Sequence, residues 1–122
     1  MAALTLPLFA YATLAERFTL ERLLGARPEL TLSTAELPDY EKVWMRGLGY
    51  PFVAQRPGSH VVGALVEGLR PEDYLKLDEY EGIAEGDYLR VRVSVRPHGV
   101  RPPEQVEAYV YVLGPRWEQR LL

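Results

Sequence analysis

Residues 88–96 alternate strictly between apolar and polar side chains, a pattern that a β-strand satisfies and a helix does not. Val91, Val93 and Val95 would face a core, and the arginines and the serine between them would face water. Five other short segments have the apolar or β-branched composition of strands. They span residues 4–11, 31–36, 50–54, 61–66 and 106–113. About six strands in so short a chain predict a curled sheet or a small barrel.

Turn-forming residues separate these strands and complete the predicted architecture. Pro38-Asp39 is expected to end the second strand, and residues 56–59, Arg-Pro-Gly-Ser, are expected to form a turn. Residues 98–103 are rich in glycine and proline and suggest a hairpin connection. The expected fold class is α+β, a small mixed β-barrel of about six strands with two main helices. We expect one domain over residues 1–122.

The overall composition excludes several classes of protein. A formal net charge of −3 leaves no electrostatic footprint for nucleic acid or an anionic membrane. Cysteine is absent, so disulfides, thiolate metal ligands and a cysteine nucleophile are ruled out. No apolar segment approaches the roughly 20 residues that span a bilayer, and no signal peptide is recognisable, so we expect a cytoplasmic protein. The lack of asparagine and the excess of arginine over lysine resemble a thermophile composition.

The first helix is predicted to follow the first strand abruptly. Thr13 and Glu16 have the spacing of a capping box, which makes Thr13 the expected N-cap of a helix over residues 13–24. Gly25 suits its C-terminal end. The free backbone N–H groups at such a helix start favour a negatively charged guest. An ordinary strand-to-helix turn would have the same pattern.

The second helix is expected to present a carboxylate toward the core. Pro71 suits its first position and Gly82 its end. Tyr74, Leu77 and Glu81 fall on one side of it. Burial and the negative end of the helix dipole would both raise the pKa of Glu81, which makes it a candidate acid or base near neutral pH. The alternative is a surface carboxylate in a frayed last turn.

Other side chains on or near this helix are expected to have mainly structural roles. Asp78 is predicted to hydrogen-bond the backbone of the following loop rather than to act as a second catalytic acid. Glu79 lies on a different side and is expected to be solvated. Tyrosines on strands usually pack against their neighbours, but here one or two are expected to line a cavity. The tyrosines near the presumed strand ends are Tyr11, Tyr88, Tyr109 and Tyr111.

The remaining candidates for chemistry are weak. His60 and His98 fall in predicted turns without a second ligand at metal-binding spacing, so no metal site is expected. No nucleophile elbow and no glycine-rich phosphate loop is present. Arg90, Arg92 and Arg96 are better explained by one exposed strand face than by a basic patch.

The order of several motifs resembles the γ-glutamylcyclotransferase-like family, which includes γ-glutamylamine cyclotransferases and plant avirulence-induced proteins. That family opens with a strand and a Tyr-Gly-Ser/Thr-Leu turn, matched here by Tyr11-Ala12-Thr13-Leu14. The later motifs follow in the family's order, and the match as a whole runs from about Leu6 to Leu113. They are Tyr50-Pro51, Val61-Val62-Gly63, Leu77-Asp78-Glu79-Tyr80-Glu81-Gly82, Tyr88-Leu89-Arg90 and Ala108-Tyr109-Val110-Tyr111-Val112.

The resemblance implies a cyclotransferase with a cavity at one end of the barrel, classed as a transferase or lyase. A γ-glutamyl amine or peptide would close on itself to give 5-oxoproline and a free amine. The backbone N–H groups of Ala12, Thr13 and Leu14 would hold the substrate's α-carboxylate, and Glu81 would move the protons. The substrate site would also include Tyr11, Tyr88 and Tyr111. No metal, cofactor or covalent intermediate is implied.

One position departs from the family pattern, because Ala12 stands where the family has glycine. If that position needs a positive φ or a close approach to substrate, a methyl group would strain or crowd it. The alternative function is therefore a non-catalytic module that binds small carboxylates, and a purely structural domain is a third reading. The expected partner is a small γ-glutamyl or carboxylate ligand, with no nucleic acid and no membrane. The protein is expected to be a monomer or homodimer.

Overall fold

A computed structural model describes residues 5–44, 49–99 and 104–118. Five strands, a single 3₁₀ turn and three helices follow one another in this part of the chain. In order they are β1 (Leu8–Ala10), the 3₁₀ turn (Thr13–Ala15), α1 (Arg17–Leu24), β2 (Thr31–Trp44), β3 (Pro51–Glu67), α2 (Pro71–Tyr80), β4 (Tyr88–Pro97), β5 (Val106–Leu113) and α3 (Pro115–Glu118). No helix among these residues is both long and apolar enough to cross a membrane.

The strands close into a mixed barrel in the order β1-β3-β2-β4-β5. The short strand β1 completes the ring, because it pairs antiparallel with β3 and parallel with β5. The parallel contact joins Leu8 to Tyr109, whose N–H donates to the carbonyl of Pro7 at 2.8 Å. The predicted α+β barrel is thus confirmed, with five strands where about six were expected.

The difference in strand count arises in β2 and β3, which are longer than the sequence suggested. The predicted stop at Pro38-Asp39 and the predicted turn at residues 56–59 are both wrong, since each lies inside a continuous strand. The register shifts at this point, so that Asp39 alone faces the four residues 56–59. Asp39 has φ of 66°, and its carboxylate accepts the N–H of Gly58 at 3.0 Å. The turn-forming residues therefore build a bulge in a paired ribbon.

Buried side chains form two groups on opposite faces of the sheet. The interior group takes residues from all five strands, among them Phe9, Leu65 and Val110. The second group packs α1 and α2 against the outside of the barrel and includes Leu20 and Leu77. The alternation predicted for residues 88–96 is clearest toward the C-terminal end, where Val95 is fully buried and Arg92, Ser94 and Arg96 are exposed. Val91 and Val93 are half-buried.

The first helix begins later than predicted. Thr13 to Ala15 form one 3₁₀ turn, Glu16 is extended, and α1 starts at Arg17, so the capping box at Thr13 and Glu16 does not form. A tertiary contact replaces the cap, because the Thr13 hydroxyl lies 3.2 Å from the phenol oxygen of Tyr80. The predicted end is confirmed, with Gly25 at φ of 84°.

The second helix begins and ends close to its predicted limits. Pro71 is its first residue, and Glu81 caps its C-terminus. The N-terminus is fixed by Asp73, whose carboxylate accepts the Arg70 N–H at 2.8 Å and pairs with Arg27 at 2.6 Å. Because α2 is fixed at its start, the position of its last turn relative to the barrel is well defined.

Candidate active site

A cavity of about 340 Å³ opens between the end of β1, the 3₁₀ turn and the end of α2. All seven site residues predicted from the sequence line it, namely Tyr11, Ala12, Thr13, Leu14, Glu81, Tyr88 and Tyr111. Residues that the sequence did not single out complete the lining: Leu8, Phe9, Ala10, Tyr50, Tyr80 and Asp87. The structure therefore brings together residues 8–14, 50, 80–88 and 111, which come from separate parts of the chain.

One wall of the cavity carries unpaired backbone donors. The N–H groups of Ala12, Thr13 and Leu14 have no acceptor within the described residues. The carbonyls of Ala12 and Thr13 are by contrast used, since they accept the N–H groups of Ala15 and Glu16 at 2.9 and 3.1 Å. Backbone N–H groups that face a cavity without an acceptor can bind an anionic or carbonyl oxygen, so this wall suits such a ligand group.

Glu81 lines the same cavity and lies at the C-terminal cap of α2. Its own N–H donates to the carbonyl of Leu77 at 2.9 Å, which fixes the backbone. Within the described residues its carboxylate has no hydrogen-bond donor and no cation. Burial without a compensating partner raises the pKa of Glu81 to about 7. This carboxyl group can therefore both accept and give up a proton at neutral pH.

Tyrosine side chains supply most of the polar atoms in the rest of the lining. Tyr11 donates its phenol hydrogen to the carbonyl of Tyr111 at 2.6 Å, and Tyr88 donates to the carbonyl of Pro51 at 3.3 Å. Burial raises the pKa of Tyr11, Tyr88 and Tyr111, and the charge of Glu81 adds to the effect. All three phenols therefore stay neutral at pH 7. Tyr109, the fourth tyrosine considered, packs against Tyr74 outside the cavity.

Asp78 lies behind this wall and is committed to two partners. Its carboxylate accepts the phenol hydrogen of Tyr111 at 2.7 Å and lies 3.0 Å from the Nε atom of Arg90. The guanidinium of Arg90 in turn lies 4.5 Å from the ring centres of both Tyr74 and Tyr109. The structural role predicted for Asp78 is thus supported, but the predicted partner is wrong, since side chains of β4 and β5 replace the loop backbone.

Ala12 does not have the positive φ that would favour glycine at this position. Its φ is −135°, so a positive φ is not required here. The first of the two conditions under which the methyl group would be unfavourable is therefore not met. Ala12 does line the cavity, so its methyl group contributes to the shape of the site.

Three of the six additional lining residues, Tyr50, Tyr80 and Asp87, carry polar side chains that no local pattern marked as part of a site. Tyr80 directly precedes Glu81 in the sequence, and this position next to the candidate base could have identified it. Tyr50 was noted only as part of a Tyr-Pro segment. Asp87 pairs with Arg116 at 3.0 Å, a contact that no sequence spacing predicts. In the described part of the chain, no cluster of three or more potential metal ligands occurs.

Comparison with known families supports the resemblance seen in the sequence. The profile of the family described as gamma-glutamyl cyclotransferase, AIG2-like, matches residues 8–121, nearly the whole chain. No curated protein matches the sequence significantly.

Solved structures share the fold at low sequence identity. Two are solution structures of Arabidopsis thaliana proteins, with TM-scores of 0.77 and 0.74 and identities of 24% and 20%, covering 93% and 94% of this chain. A third is a protein described as gamma-glutamyl cyclotransferase, with a TM-score of 0.70, 18% identity and 88% of this chain covered. The chain spans 65%, 79% and 66% of these proteins, so less than two thirds of the first and the third.

Proposed function

Since the chain belongs to the AIG2-like gamma-glutamyl cyclotransferase family, we propose that it converts a small γ-glutamyl amine or peptide to 5-oxoproline and a free amine. Glu81 is the proposed general acid and base. The proposed reaction uses no metal and no cofactor. The expected location remains the cytoplasm. The proposal rests chiefly on one observation, an unpartnered carboxylate with a pKa of about 7 in the same cavity as three unpaired N–H groups.

The γ-glutamyl half of the substrate would be held from two sides. Its α-carboxylate would accept hydrogen bonds from the N–H groups of Ala12, Thr13 and Leu14, which otherwise lack acceptors. Its α-ammonium would then lie toward Glu81. Fixing both groups would bring the α-nitrogen close to the γ-carbonyl carbon, and such proximity contributes much of the rate in an intramolecular reaction.

The proton transfers follow from this arrangement. Glu81 accepts a proton from the α-ammonium, and the freed amine attacks the γ-carbonyl carbon to form the ring C–N bond. The tetrahedral intermediate collapses when the bond to the departing nitrogen breaks and Glu81 returns a proton to that nitrogen. The second proton lost by the α-nitrogen ends on the same amine, which leaves as an ammonium ion. Atoms and charges balance without a co-reactant.

Release of 5-oxoproline from a panel of γ-glutamyl amines and dipeptides tests the proposal. Glu81→Gln should lower kcat/KM by about 10²- to 10⁴-fold, because it removes the proton acceptor and keeps the shape. Glu79→Gln is the matched control, since Glu79 is exposed on the same helix and outside the cavity. For the wild type, kcat/KM should fall about tenfold per pH unit below pH 7, where Glu81 becomes protonated. Equal rates for wild type and Glu81→Gln would exclude Glu81 as the base.

The alternative of a non-catalytic carboxylate-binding module predicts a different result. Glutamate or 5-oxoproline would raise the melting temperature, and no γ-glutamyl compound would release product. This alternative was based on a positive φ or a close approach to substrate at Ala12, and the φ of −135° leaves the close approach as its basis. If no compound released product and none raised the melting temperature, a purely structural domain would be the remaining interpretation.

A further inference from the structure

The mouth of the cavity is defined by the lining residues that reach solvent. Of the thirteen lining residues, only Thr13, Tyr50 and Tyr80 are exposed, and the others are buried or half-buried. Tyr50 has 41% of its surface exposed and Tyr80 has 47%. Two of the three lining residues that reach solvent are therefore aromatic.

Both rings at the mouth are held in place. The phenol oxygen of Tyr80 lies 3.2 Å from the Thr13 hydroxyl, a contact that connects α2 to the 3₁₀ turn. The Tyr50 ring stacks on Tyr88 with centroids 6.5 Å apart and packs on Phe52 at 5.7 Å. Held rings lose little conformational freedom when a ligand packs on them.

The mouth carries little charge. The thirteen lining residues include two carboxylates, Glu81 and Asp87, and no lysine, arginine or histidine. Asp87 is paired with Arg116 at 3.0 Å, so its charge is largely balanced. A ligand group that leaves through the mouth meets aromatic surface, and the described lining residues offer no cation for a carboxylate of its own.

From this arrangement we infer that Tyr50 and Tyr80 determine substrate specificity and select γ-glutamyl amides whose amine half carries an uncharged aromatic ring. The inference rests on the proposed function, because anchoring the γ-glutamyl half between the 3₁₀ turn and Glu81 directs the amine half to the mouth. A planar ring there can stack against Tyr50 or meet Tyr80 edge to face.

Four substrates separate the contributions of ring and charge. γ-Glutamyl phenethylamide and γ-glutamyl ethylamide differ by a phenyl ring that two methylene groups insulate from the reacting amide. γ-Glutamyl phenylalanine adds one carboxylate to the phenethylamide, and the 4-aminobutylamide offers a cation. The wild type should prefer the phenethylamide to the ethylamide by about 3- to 10-fold in kcat/KM for each ring that stacks. γ-Glutamyl phenylalanine, which carries the additional carboxylate, should have a lower kcat/KM than the phenethylamide.

Variants of the two tyrosines show which ring causes the preference for the phenethylamide. Tyr50→Ala and Tyr80→Ala should each reduce the ratio of phenethylamide to ethylamide, while Tyr80→Phe, which keeps the ring, should retain most of it. Leu75→Ala is the control, since Leu75 lies on the same helix with 73% of its surface exposed and does not line the cavity. A ratio that stays unchanged in both alanine variants would overturn the inference, as would a wild-type preference for the 4-aminobutylamide or for phenylalanine.

A binding measurement separates this inference from the proposed function. Dissociation constants of the phenethylamide and the ethylamide for Glu81→Gln can be obtained by calorimetry without turnover. Tighter binding of the phenethylamide, lost in Tyr50→Ala and Tyr80→Ala on this background, would support the aromatic mouth even if wild type released no 5-oxoproline. Equal dissociation constants would refute it, whatever the activity.

Discussion

The carboxyl group of Glu81 costs the folded protein stability at the pH where it would work. Its pKa is about 7 in the folded state and about 4.3 in an unfolded chain, so the folded state holds the proton more tightly. The stabilising effect of that proton is complete below about pH 4.3 and is lost as the pH rises through 7. A catalytic carboxylate that lacks partners is a common cause of such a trade between stability and activity.

Glu81→Gln should therefore be more stable than the wild type at pH 8, by about 1 to 3 kcal/mol in the free energy of unfolding. The difference should shrink toward pH 5. Urea denaturation at both pH values measures it, and Glu79→Gln, on the exposed side of α2, should change little. Equal stabilities of wild type and Glu81→Gln at pH 8 would mean that the Glu81 carboxylate is better solvated than its position suggests.

Individual site residues could be predicted where motif order, helical spacing and burial agreed. Glu81 falls on the buried side of a well-marked helix, and all the residues of the Tyr11-Ala12-Thr13-Leu14 turn line the cavity. The hydroxyl of Thr13 could not be assigned, because its partner Tyr80 lies 67 positions away and competes with the local capping box.

At the scale of whole elements, the bulge between β2 and β3 explains the main error in the predicted fold. Proline, glycine and aspartate are turn formers, and their local conformations agree with that, since Asp39 and Gly58 both have positive φ. What the sequence does not reveal is that these residues face each other across two paired strands. Pairing over the rest of the ribbon carries both strands past the interruption.

Two glycines of β3 should respond differently to alanine. Gly58 has φ of 88° with open space around it, so Gly58→Ala should cost about 1 to 2 kcal/mol of stability from backbone conformation alone. At Gly63 a Cβ would overlap the carbonyl oxygen of Ala10 and lie 2.9 Å from the Phe9 ring. The backbone of β1 thus approaches β3 closely at Gly63, and Gly63→Ala should cost about 3 kcal/mol or more.

Urea denaturation of the two alanine variants distinguishes these costs. Gly63→Ala should also lower activity more than Gly58→Ala, because β1 leads directly into the cavity wall at Tyr11. A Gly63→Ala protein as stable as Gly58→Ala would show that β1 can move away from β3 without penalty.

For the molecule as a whole, one polar network joins elements that are far apart in the chain. Asp78 of α2 binds Arg90 of β4 and Tyr111 of β5, and the carbonyl of Tyr111 accepts the phenol hydrogen of Tyr11 after β1. The ion pair is only about one quarter exposed, at 24% for Asp78 and 27% for Arg90. Its loss would leave a half-buried charge without its main partner.

Asp78→Ala should therefore lower the free energy of unfolding by about 3 kcal/mol. Tyr111→Phe removes one hydrogen bond and should cost about 1 kcal/mol. The exposed pair of Arg92 and Glu107 is the matched control, and Glu107→Ala should have almost no effect. Chemical denaturation of the three variants gives the comparison. Equal effects of Asp78→Ala and Glu107→Ala would mean that the network does not stabilise the barrel.

The overall fold was predictable because the spacing of apolar residues and the local composition identify most of the strands and both main helices. Strand β5 has the predicted limits, and β4 and α2 differ from theirs by one residue at one end. Strand order and closure were not predictable from period alone, since they depend on which edges meet in space. Only the family resemblance pointed to a cavity at one end of the barrel.

The parallel contact between Leu8 and Tyr109 has a consequence for synthesis of the protein on the ribosome. Strand β1 cannot complete its pairing before β5 has been synthesised, because β1 pairs with β5. The cavity likewise needs Tyr111 as well as Tyr11. A nascent chain that has emerged only as far as β4 has a sheet with open edges, which favour association with other chains. The cavity is thus assembled after translation of nearly the whole domain, and premature termination yields a chain without it.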